Sequence, residues 1–277
     1  MNIRSGLALL VCVFTAQAAD LKRETLTAWQ LYVRAATVEM QARVKPDRHF
    51  LTLDEDQEAM SDVRHGQIVV LHNGSKGVKK VPSGLIHDWS GAAFIASATL
   101  NDVFSVARDY DHYKDFYRPN VVDSKAISSG QAETRFSMTL MNKGLVSAAM
   151  DGEYRCSFFR VDEHRWYSIS ETTRMREVES YGTPDQRELS DGQGKGLIWR
   201  LFSIARFEER DGGVYVELEA IALTRDIPVS VRWLIEPIVS RVSRSSLTTS
   251  LRQTENAVQA RATLLSESIQ SARRGAR

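Results

Sequence analysis

Three side chains in this sequence are able to move protons if they lie in an apolar pocket: His87, Tyr154 and Glu171. A histidine, a tyrosine and a carboxylic acid are groups that general acid–base catalysis commonly uses. His87 alternates in phase with Trp89 along an extended segment, so both side chains would point to one face. An inward histidine is more often a hydrogen-bonded core residue, and Glu171 is expected to face solvent or to pair with an arginine such as Arg174. The three residues are therefore weak catalytic candidates.

The sequence shows no stronger catalytic or metal-binding pattern. His65 and His72 lack a helical metal-ligand spacing, and no coordination set is completed around them. A Ser-His-Asp pattern, a glycine-rich phosphate loop and a paired-carboxylate motif are all missing from the sequence. We therefore predict no metal and no cofactor. Cys156 is expected to be a small buried hydrophobe, with a reactive thiol or a dimer link as the alternatives.

The first 19 residues have the pattern of a secretory signal peptide. Met1 to Arg4 forms a short cationic head, Gly6 to Phe14 is apolar, and Ala16-Gln17-Ala18 is a small-residue cleavage site. The apolar stretch is too short to span a bilayer, and no later segment approaches the roughly 18 apolar residues required. We expect an exported protein, periplasmic or extracellular, with an uncleaved anchor as the alternative.

The charge balance argues against a nucleic-acid partner. Removal of the leader takes Arg4 from the 36 basic residues and leaves 35, against 35 acidic residues. Nucleic-acid binders usually carry a basic stripe, and polybasic membrane binders carry a Lys/Arg cluster. Neither is predicted here. Transient contact with a membrane is compatible with this charge balance, and the sequence identifies no protein partner.

A helical extension and a linker are predicted ahead of the main domain, within residues 20–82. Thr25 to Val44 places apolar side chains at three- and four-residue steps, which is typical of an amphipathic helix. Pro46 ends this pattern. Lys45 to Asp62 is polar and irregular, and it is predicted to be the linker.

A short hairpin is predicted at the end of this extension. Gln67 to His72 is an apolar run, Gly77 to Val81 is a weaker return strand, and Asn73-Gly74 between them is a turn signal. The main domain is then expected over residues 83–265, and residues 266–277 are expected to form a flexible tail.

Seven strands are predicted in the main domain. Short turns separate most of them, so the expected arrangement is an antiparallel meander. Two short helices follow the first strand, and an amphipathic helix runs from Pro228 to about Ala262, with a kink or break at Pro237. The strands are expected at about Gly84 to Ala96, Val121 to Ser128, Gln131 to Met141, Ser147 to Arg160, Arg165 to Glu179, Gly196 to Arg210 and Val214 to Arg225.

The register of the last two strands follows from the turn between them. Asp211-Gly212 is a strong two-residue hairpin signal. It sets Phe207 opposite Val216 and Ala205 opposite Leu218, all on one predicted inner face. The same register places Arg206 opposite Glu217 on the other face, a cross-strand pair worth up to about 1 kcal/mol.

This order of elements resembles the START-like (SRPBCC, helix-grip) superfamily of lipid-transfer proteins and polyketide cyclases. The resemblance covers roughly Gly84 to Ala262 and includes Asp109 to Pro119, which closes the two short helices, the glycine hairpin before the last strand, and the proline that opens the long helix. It implies an α+β fold with a seven-stranded curved antiparallel sheet, two short helices and a long C-terminal helix. The N-terminal helix and the export signal depart from the minimal form.

The resemblance implies an apolar tunnel between the sheet and the long helix. Such a tunnel holds a lipid, isoprenoid, sterol or polyketide-like molecule, and ligand sites of this kind are mostly apolar. The candidate ligand-binding residues are Trp89, Trp199, Leu201, Ala205, Phe207, Val216, Leu218, Ile238 and Val242.

Three functions compete on these observations. Binding or carriage of a hydrophobic small molecule is favoured, since no convincing catalytic set is present. A cyclase or dehydratase acting on such a ligand is the alternative. An interaction module would instead use the other face of the sheet to dock a partner, although coverage of that face by the N-terminal helix is the simpler expectation. That face is predicted to carry Arg200, Phe202, Ile204, Arg206, Tyr215 and Ile221.

Overall fold

The structure is a computed structural model, and it describes residues 20–72, 77–130, 132–142, 148–226 and 229–275. Five α-helices lie in these ranges: α1 (Arg23–Arg43), α2 (Gln57–Arg64), α3 (Leu100–Ala107), α4 (Tyr113–Phe116) and α5 (Val229–Gly275). Two short 3₁₀ helices accompany them, at Thr52–Glu55 and Tyr110–His112. The predicted N-terminal helix, the two short helices and the long C-terminal helix are all present.

Ten strands form one antiparallel sheet in the described ranges, three more than the seven predicted for the sheet of the main domain. The order across the sheet is β1-β3-β10-β9-β7-β6-β5-β4, with β2 also paired to β3 and β8 to β7. The strands are β1 (Val69–His72), β2 (Val78–Val81), β3 (Gly84–Ala96), β4 (Val121–Ser129), β5 (Thr134–Asn142), β6 (Ala148–Arg160), β7 (Arg165–Glu179), β8 (Arg187–Glu188), β9 (Arg200–Arg210) and β10 (Gly213–Arg225). The seven predicted strands correspond to β3–β7, β9 and β10.

The predicted pairing of the first two short strands is wrong. Both β1 and β2 pair with β3. Val69 of β1 lies opposite Ala92, and Val78 of β2 lies opposite His87. They therefore lie in line along one edge of the sheet. A long strand such as β3 offers a complete row of hydrogen-bonding groups to both segments, which a four-residue hairpin does not. The turn signal Asn73-Gly74 lies outside the described residues.

The predicted register of the last hairpin is confirmed. Phe207 pairs with Val216, Ala205 with Leu218, and Gly213 with Arg210. Asp211 and Gly212 occupy the two-residue turn with φ of 55° and 78°. Positive φ at both central positions matches the turn type that follows the right-handed twist of paired strands.

The N-terminal extension covers the outer face of the sheet, the face opposite α5. Trp29 and Met40 of α1 pack with apolar side chains of β9 and β10, among them Ile204 and Ile221. This confirms the simpler expectation for the outer face. It leaves the proposed docking surface without accessible area at its centre.

The segment predicted to be an irregular linker, Lys45 to Asp62, is instead part of this cover. It contains the 3₁₀ helix Thr52–Glu55 and the first six residues of α2. Its few apolar side chains, including Leu51 and Leu53, are almost completely buried. They are too few and too irregularly spaced to show a helical period, which is why the sequence pattern did not indicate them.

A buried charge cluster of Arg206, Glu217 and Glu219 fastens the extension to the outer face. The Arg206 guanidinium donates to Glu217 Oε1 and to Glu219 Oε2, each at 2.7 Å. Glu217 also accepts the backbone N–H groups of Thr52 at 3.2 Å and Leu53 at 2.9 Å. The predicted cross-strand pair of Arg206 and Glu217 is therefore present and buried, and the Glu217 carboxylate also binds the segment that covers it.

Helix α5 crosses the inner face of the sheet. A Cβ atom at Gly91 of β3 would lie 2.9 Å from Leu251 Cδ1, so the absence of a side chain lets the helix approach this closely. The helix runs through Pro237 without the break that was one of the two expectations there. It also extends to Gly275, beyond the predicted end at about Ala262 and into the predicted tail, and residues 263–274 contain no glycine or proline.

Candidate functional site

The two faces of the central strands differ sharply in accessibility. Outer-face side chains of β9 and β10 are buried, whereas alternate positions on the inner face remain partly accessible although α5 lies on that side. The partly accessible inner-face residues are Leu201, Ser203, Ala205, Leu218, Ala220 and Ala222. Space therefore remains on the inner face in the middle of the sheet. It is lined mainly by apolar side chains, several of them small.

The hairpin end of the inner face is closed. Phe207 and Val216 are 3 % and 5 % exposed and pack with Val103 of α3 and with Leu251 and Val258 of α5. These two candidate ligand-binding residues are therefore core residues here. The accessible region begins beyond them, at Leu218 and Ala205.

A row of inner-face residues crosses the sheet at right angles to the strands. His87 pairs with Ala222, Ala222 with Leu201, Thr172 with Tyr154, and Tyr154 with Phe136. Leu201 and Thr172 are joined by two hydrogen bonds: the Leu201 N–H donates to Thr172 Oγ1 at 3.0 Å, and the Thr172 hydroxyl donates to the Leu201 carbonyl at 3.2 Å. We call this set the transverse row. Ala222 and Leu201 form its apolar part, with His87 on one side of them and Thr172 and Tyr154 on the other.

His87 is the polar residue on the β3 side of the transverse row. Its Nε2 lies 3.0 Å from Thr224 Oγ1, whereas its Nδ1 is buried with no hydrogen-bond partner among the described residues. Burial lowers the pKa of His87 to about 4, because a charged imidazolium is poorly solvated there. The ring is therefore neutral at pH 7.

Tyr154 is the polar residue on the β6 side. Its ring stacks on Phe136 with centroids 4.9 Å apart, and Phe136 stacks on Tyr110 at 4.3 Å. The ring covers Gly152, where a Cβ would lie only 2.7 Å from it. The hydroxyl is buried without a partner among the described residues, and burial raises the pKa of Tyr154 well above its usual range. Tyr154 is thus a neutral donor on an aromatic wall.

The third catalytic candidate, Glu171, lies away from this region. Arg155, directly opposite it on β6, donates from Nε to Glu171 Oε1 at 2.6 Å. The expected pairing with an arginine is confirmed, although the partner is Arg155, and Arg174 pairs with Glu153 instead. Glu171 is held on the surface and is excluded as an acid or base of the inner face.

Two tryptophans predicted to line the site occupy different environments. Trp89 is 7 % exposed and packs with Val70 of β1 and Leu247 of α5, at the edge of the accessible region. Trp199 lies in the outer-face cluster with Leu223, which corrects its predicted inward position. Strand β9 begins only at Arg200, so the alternation that was extended back to Trp199 does not apply to it.

Two of the predicted ligand-binding residues, Ile238 and Val242, lie on α5. The side chain of Ile238 lies outside the described residues. Val242 is 43 % exposed. The residues that the sequence reasoning missed are Ala222 and Thr224, which continue the alternation of β10 toward His87. That alternation was the available signal, since every second residue from Val214 onward faces inward.

Contacts between the short helices and α5 close one side of the inner face. Tyr117 and Thr254 share a hydrogen bond of 3.1 Å, and Asp109 is ion-paired with Arg261 of α5. Partial burial tends to raise the pKa of Asp109, but the hydrogen bond with His112 and the pairing with Arg261 outweigh it and hold the pKa below its usual value. These contacts anchor the second half of α5.

Cys156 is a buried free thiol beside the aromatic wall, as expected. Burial raises the pKa of its thiol, which disfavours the reactive thiolate. Among the described residues, no group of three or more histidine, cysteine or acidic side chains is placed to hold a metal ion. Within the same ranges, no helix combines the length and apolar character needed to cross a bilayer.

The sheet, the two short helices and the long helix across the inner face constitute a helix-grip fold, the fold of START-like proteins. No protein-family model matches the sequence, and no curated protein matches it. Similar solved structures exist at low identity. A STAR-related lipid transfer protein from Xanthomonas axonopodis is 17 % identical, with a TM-score of 0.45 over 69 % of this chain and 98 % of that chain.

Two further solved structures are similar at low identity. The Zhui aromatase/cyclase from Streptomyces sp. R1128 is 12 % identical, with a TM-score of 0.44 over 64 % of this chain and 96 % of that chain. A START superfamily protein from Mycobacterium smegmatis is 9 % identical, with a TM-score of 0.39 over 63 % and 97 %. At these values the likenesses carry no information on the ligand of this chain.

Proposed function

We propose that the protein binds a hydrophobic small molecule between the inner face of the sheet and α5, and that it does not transform it. The observation that carries this proposal is the accessible inner face of the central strands. Leu201, Ala205, Leu218 and Ala222 are partly accessible although their strands lie in the middle of the sheet. A lipid, an isoprenoid or a polyketide-like molecule has the apolar surface that fits this lining.

The energetics favour an apolar ligand on this surface. Each 100 Å² of apolar surface removed from water is worth about 2.5 kcal/mol. The outer face of the same strands has already gained this energy, because the N-terminal extension buries it. The inner face has gained it in full at the hairpin end, around Phe207 and Val216, whereas its middle positions remain partly accessible. A bound apolar molecule would complete the burial.

The alternative is a cyclase or dehydratase that acts on such a ligand. The unpartnered Nδ1 of His87 is the observation in its favour. Against it, a base is most effective when its pKa lies near the working pH, and burial lowers the pKa of His87 to about 4. His87→Ala separates the two functions. An enzyme would lose turnover and keep its ligand, whereas a carrier has no turnover to lose.

We also propose that binding takes place outside the cytoplasm. The support is the signal-peptide pattern of residues 1–19, which lie outside the described residues. Intact-mass measurement of the protein recovered from a periplasmic or culture-medium fraction tests this. A mass that corresponds to cleavage after Ala18 or Ala19 supports export, and an uncleaved chain confined to the cytosol contradicts it.

The binding proposal is tested by what the protein carries. The protein is purified without detergent, extracted with organic solvent, and the extract is identified by mass spectrometry. A near-stoichiometric apolar molecule is expected. Recovery of no such molecule, together with failure to bind any member of a panel of fluorescent lipids, would overturn the proposal.

A matched pair of variants locates the site. Ala222→Phe adds a ring at the centre of the transverse row and is expected to abolish retention of the extracted molecule. Ala35→Phe adds the same ring at an exposed position of α1 and is expected to leave retention unchanged. Equal retention by both variants would place the ligand elsewhere. Circular dichroism confirms that both variants are folded.

A further inference from the structure

We infer that the ligand carries a hydroxyl group that donates a hydrogen bond to Nδ1 of His87. This inference rests on the proposed binding function and deepens it, because it names the chemical class of the ligand: an alcohol with an extended apolar body. Two features of the structure support it: the hydrogen bonds around one buried imidazole, and the position of that imidazole on the sheet.

The hydrogen-bond pattern assigns the roles of the two ring nitrogens. The Thr224 hydroxyl has a single proton, and it donates that proton to the Arg225 carbonyl at 3.3 Å. With the hydroxyl proton assigned to that carbonyl, Thr224 Oγ1 accepts from His87 Nε2, 3.0 Å away, and we assign the ring proton to Nε2. A neutral imidazole has only one N–H, so Nδ1 presents a bare lone pair.

That lone pair needs a donor that the described residues do not supply. His87 is 5 % exposed, and its Nδ1 has no hydrogen-bond partner among them. A buried acceptor left without a partner is costly, so a donor brought by a ligand would be favoured. Since His87 faces inward beside Ala222, that donor is expected to arrive over the inner face.

A neutral donor fits the surroundings better than a cation. The described inner-face residues near His87 in the transverse row are Ala222 and Leu201, which offer no carboxylate to pair with an ammonium group. Glu177, an acidic residue farther along β7, already accepts the backbone N–H groups of Lys195 and Leu197 at 2.8 and 3.0 Å. Burying an unpaired charge is far more costly than burying a hydroxyl. The donor is therefore an alcohol or phenol.

The transverse row also indicates how the apolar body lies. Four strand-to-strand steps separate β3, which carries His87, from β6, which carries Tyr154. At about 4.8 Å per step, the row measures roughly 19 Å along the sheet. Between these ends lie Ala222 and Leu201, which are apolar and partly accessible, and Thr172, whose hydroxyl is bonded to the Leu201 backbone. The body of the alcohol is expected to extend from His87 toward the aromatic wall at Tyr154.

The test compares alcohols with their methyl ethers, which keep the apolar body and the oxygen but lose the donor. Two pairs are used: a polycyclic pair, dehydroergosterol and its 3-methyl ether, and a linear pair, farnesol and farnesyl methyl ether. Binding of the first pair is followed by sterol fluorescence, and the second by displacement of a fluorescent lipid. The wild-type protein should bind the alcohol of at least one pair about tenfold more tightly than its ether.

Three variants assign that preference to His87. His87→Phe retains a ring without nitrogen and should bring the alcohol-to-ether ratio to about 1. Thr224→Val removes the acceptor that holds the proton on Nε2, so the ratio should fall to less than about threefold while the histidine remains. His164→Phe, at an exposed turn, should retain the wild-type ratio. If His87→Phe does not fold, Thr224→Val alone decides.

The outcomes separate this inference from the binding proposal. Equal affinity for alcohol and ether in the wild-type protein overturns the inference, although binding of both supports the proposed function. A wild-type ratio that persists in His87→Phe and Thr224→Val also overturns it. The inference is also overturned if the protein binds other lipids but neither of the two alcohols. Failure to bind any lipid or ether overturns the proposed function itself.

Discussion

Replacement of Arg206 by methionine removes the only cation of the buried charge cluster. Arg206 is 1 % exposed, and its two hydrogen bonds of 2.7 Å go to Glu217 and Glu219. Each such charge-assisted bond is worth about 1.5–3 kcal/mol. Glu217 keeps its two backbone donors, whereas Glu219 loses the cation beside it. The free energy of unfolding at pH 8 is therefore expected to fall by about 3–5 kcal/mol, the usual cost of breaking a buried ion pair.

The loss should depend on pH in a defined direction. Burial raises the pKa of Glu219, and the attraction of Arg206 partly offsets that rise. A carboxyl whose pKa is higher in the folded state than in the unfolded state binds more protons when the protein is folded. Stability therefore falls as the pH rises from the unfolded-state pKa through the folded-state pKa. Without Arg206 the pKa rises further. The difference between variant and wild type is therefore expected to be smaller at pH 5 than at pH 8.

Urea unfolding followed by tryptophan fluorescence measures both effects. Arg155→Met is the matched control, because Arg155 pairs with Glu171 across two strands but is about half exposed, so its loss should be below about 1 kcal/mol. A loss below about 1 kcal/mol for Arg206→Met at pH 8, or an equal loss at pH 5, would refute the reasoning.

Three further substitutions test the packing. Gly91→Ala places a methyl group 2.9 Å from Leu251 Cδ1 and should destabilise the protein by about 1–3 kcal/mol in urea unfolding. Adding Leu251→Ala should restore part of this stability, and no recovery would contradict the contact. Trp29→Ala should lower the free energy of unfolding by about 3–5 kcal/mol in the same assay. Leu31 is 62 % exposed, so Leu31→Ala should lower it by less than about 0.5 kcal/mol. Similar losses for the two variants would show that α1 does not cover the sheet. Tyr154→Phe removes an unpartnered buried hydroxyl, so the ligand-free protein should be unchanged or up to about 1 kcal/mol more stable, and a clear loss would reveal a hidden partner.

Much of the fold could be predicted because short stretches of sequence determine the strands and their turns. The pairing of Phe207 with Val216 follows from an Asp-Gly turn and a period of two, both visible within 30 residues of sequence. The cover formed by Lys45 to Asp62 could not be predicted in this way. Leu51 and Leu53 are buried because of what lies beneath them, and a short segment with few apolar residues carries no period that reveals it.

The candidate site was predicted less completely, for a related reason. His87 and Trp89 were placed on one face correctly, but the partner of His87 is Thr224, 137 residues later. Their proximity depends on how β3 pairs with β10, and no local pattern specifies that register. Trp199 was misplaced because a strand's alternation holds only within the strand, and the boundary at Arg200 was not visible in the sequence.

Strand β10 separates two roles by the parity of its residues. Odd-numbered positions such as Glu217 and Ile221 are sealed beneath the extension, whereas even-numbered positions such as Ala220 and Ala222 line the inner face. A substitution at one of the partly accessible even-numbered positions, Leu218, Ala220 or Ala222, alters the shape of the lining without touching the buried charge cluster. The shape of the binding surface can therefore diverge during evolution at little expense in stability, and differences between related chains are expected to concentrate at these positions of the strand.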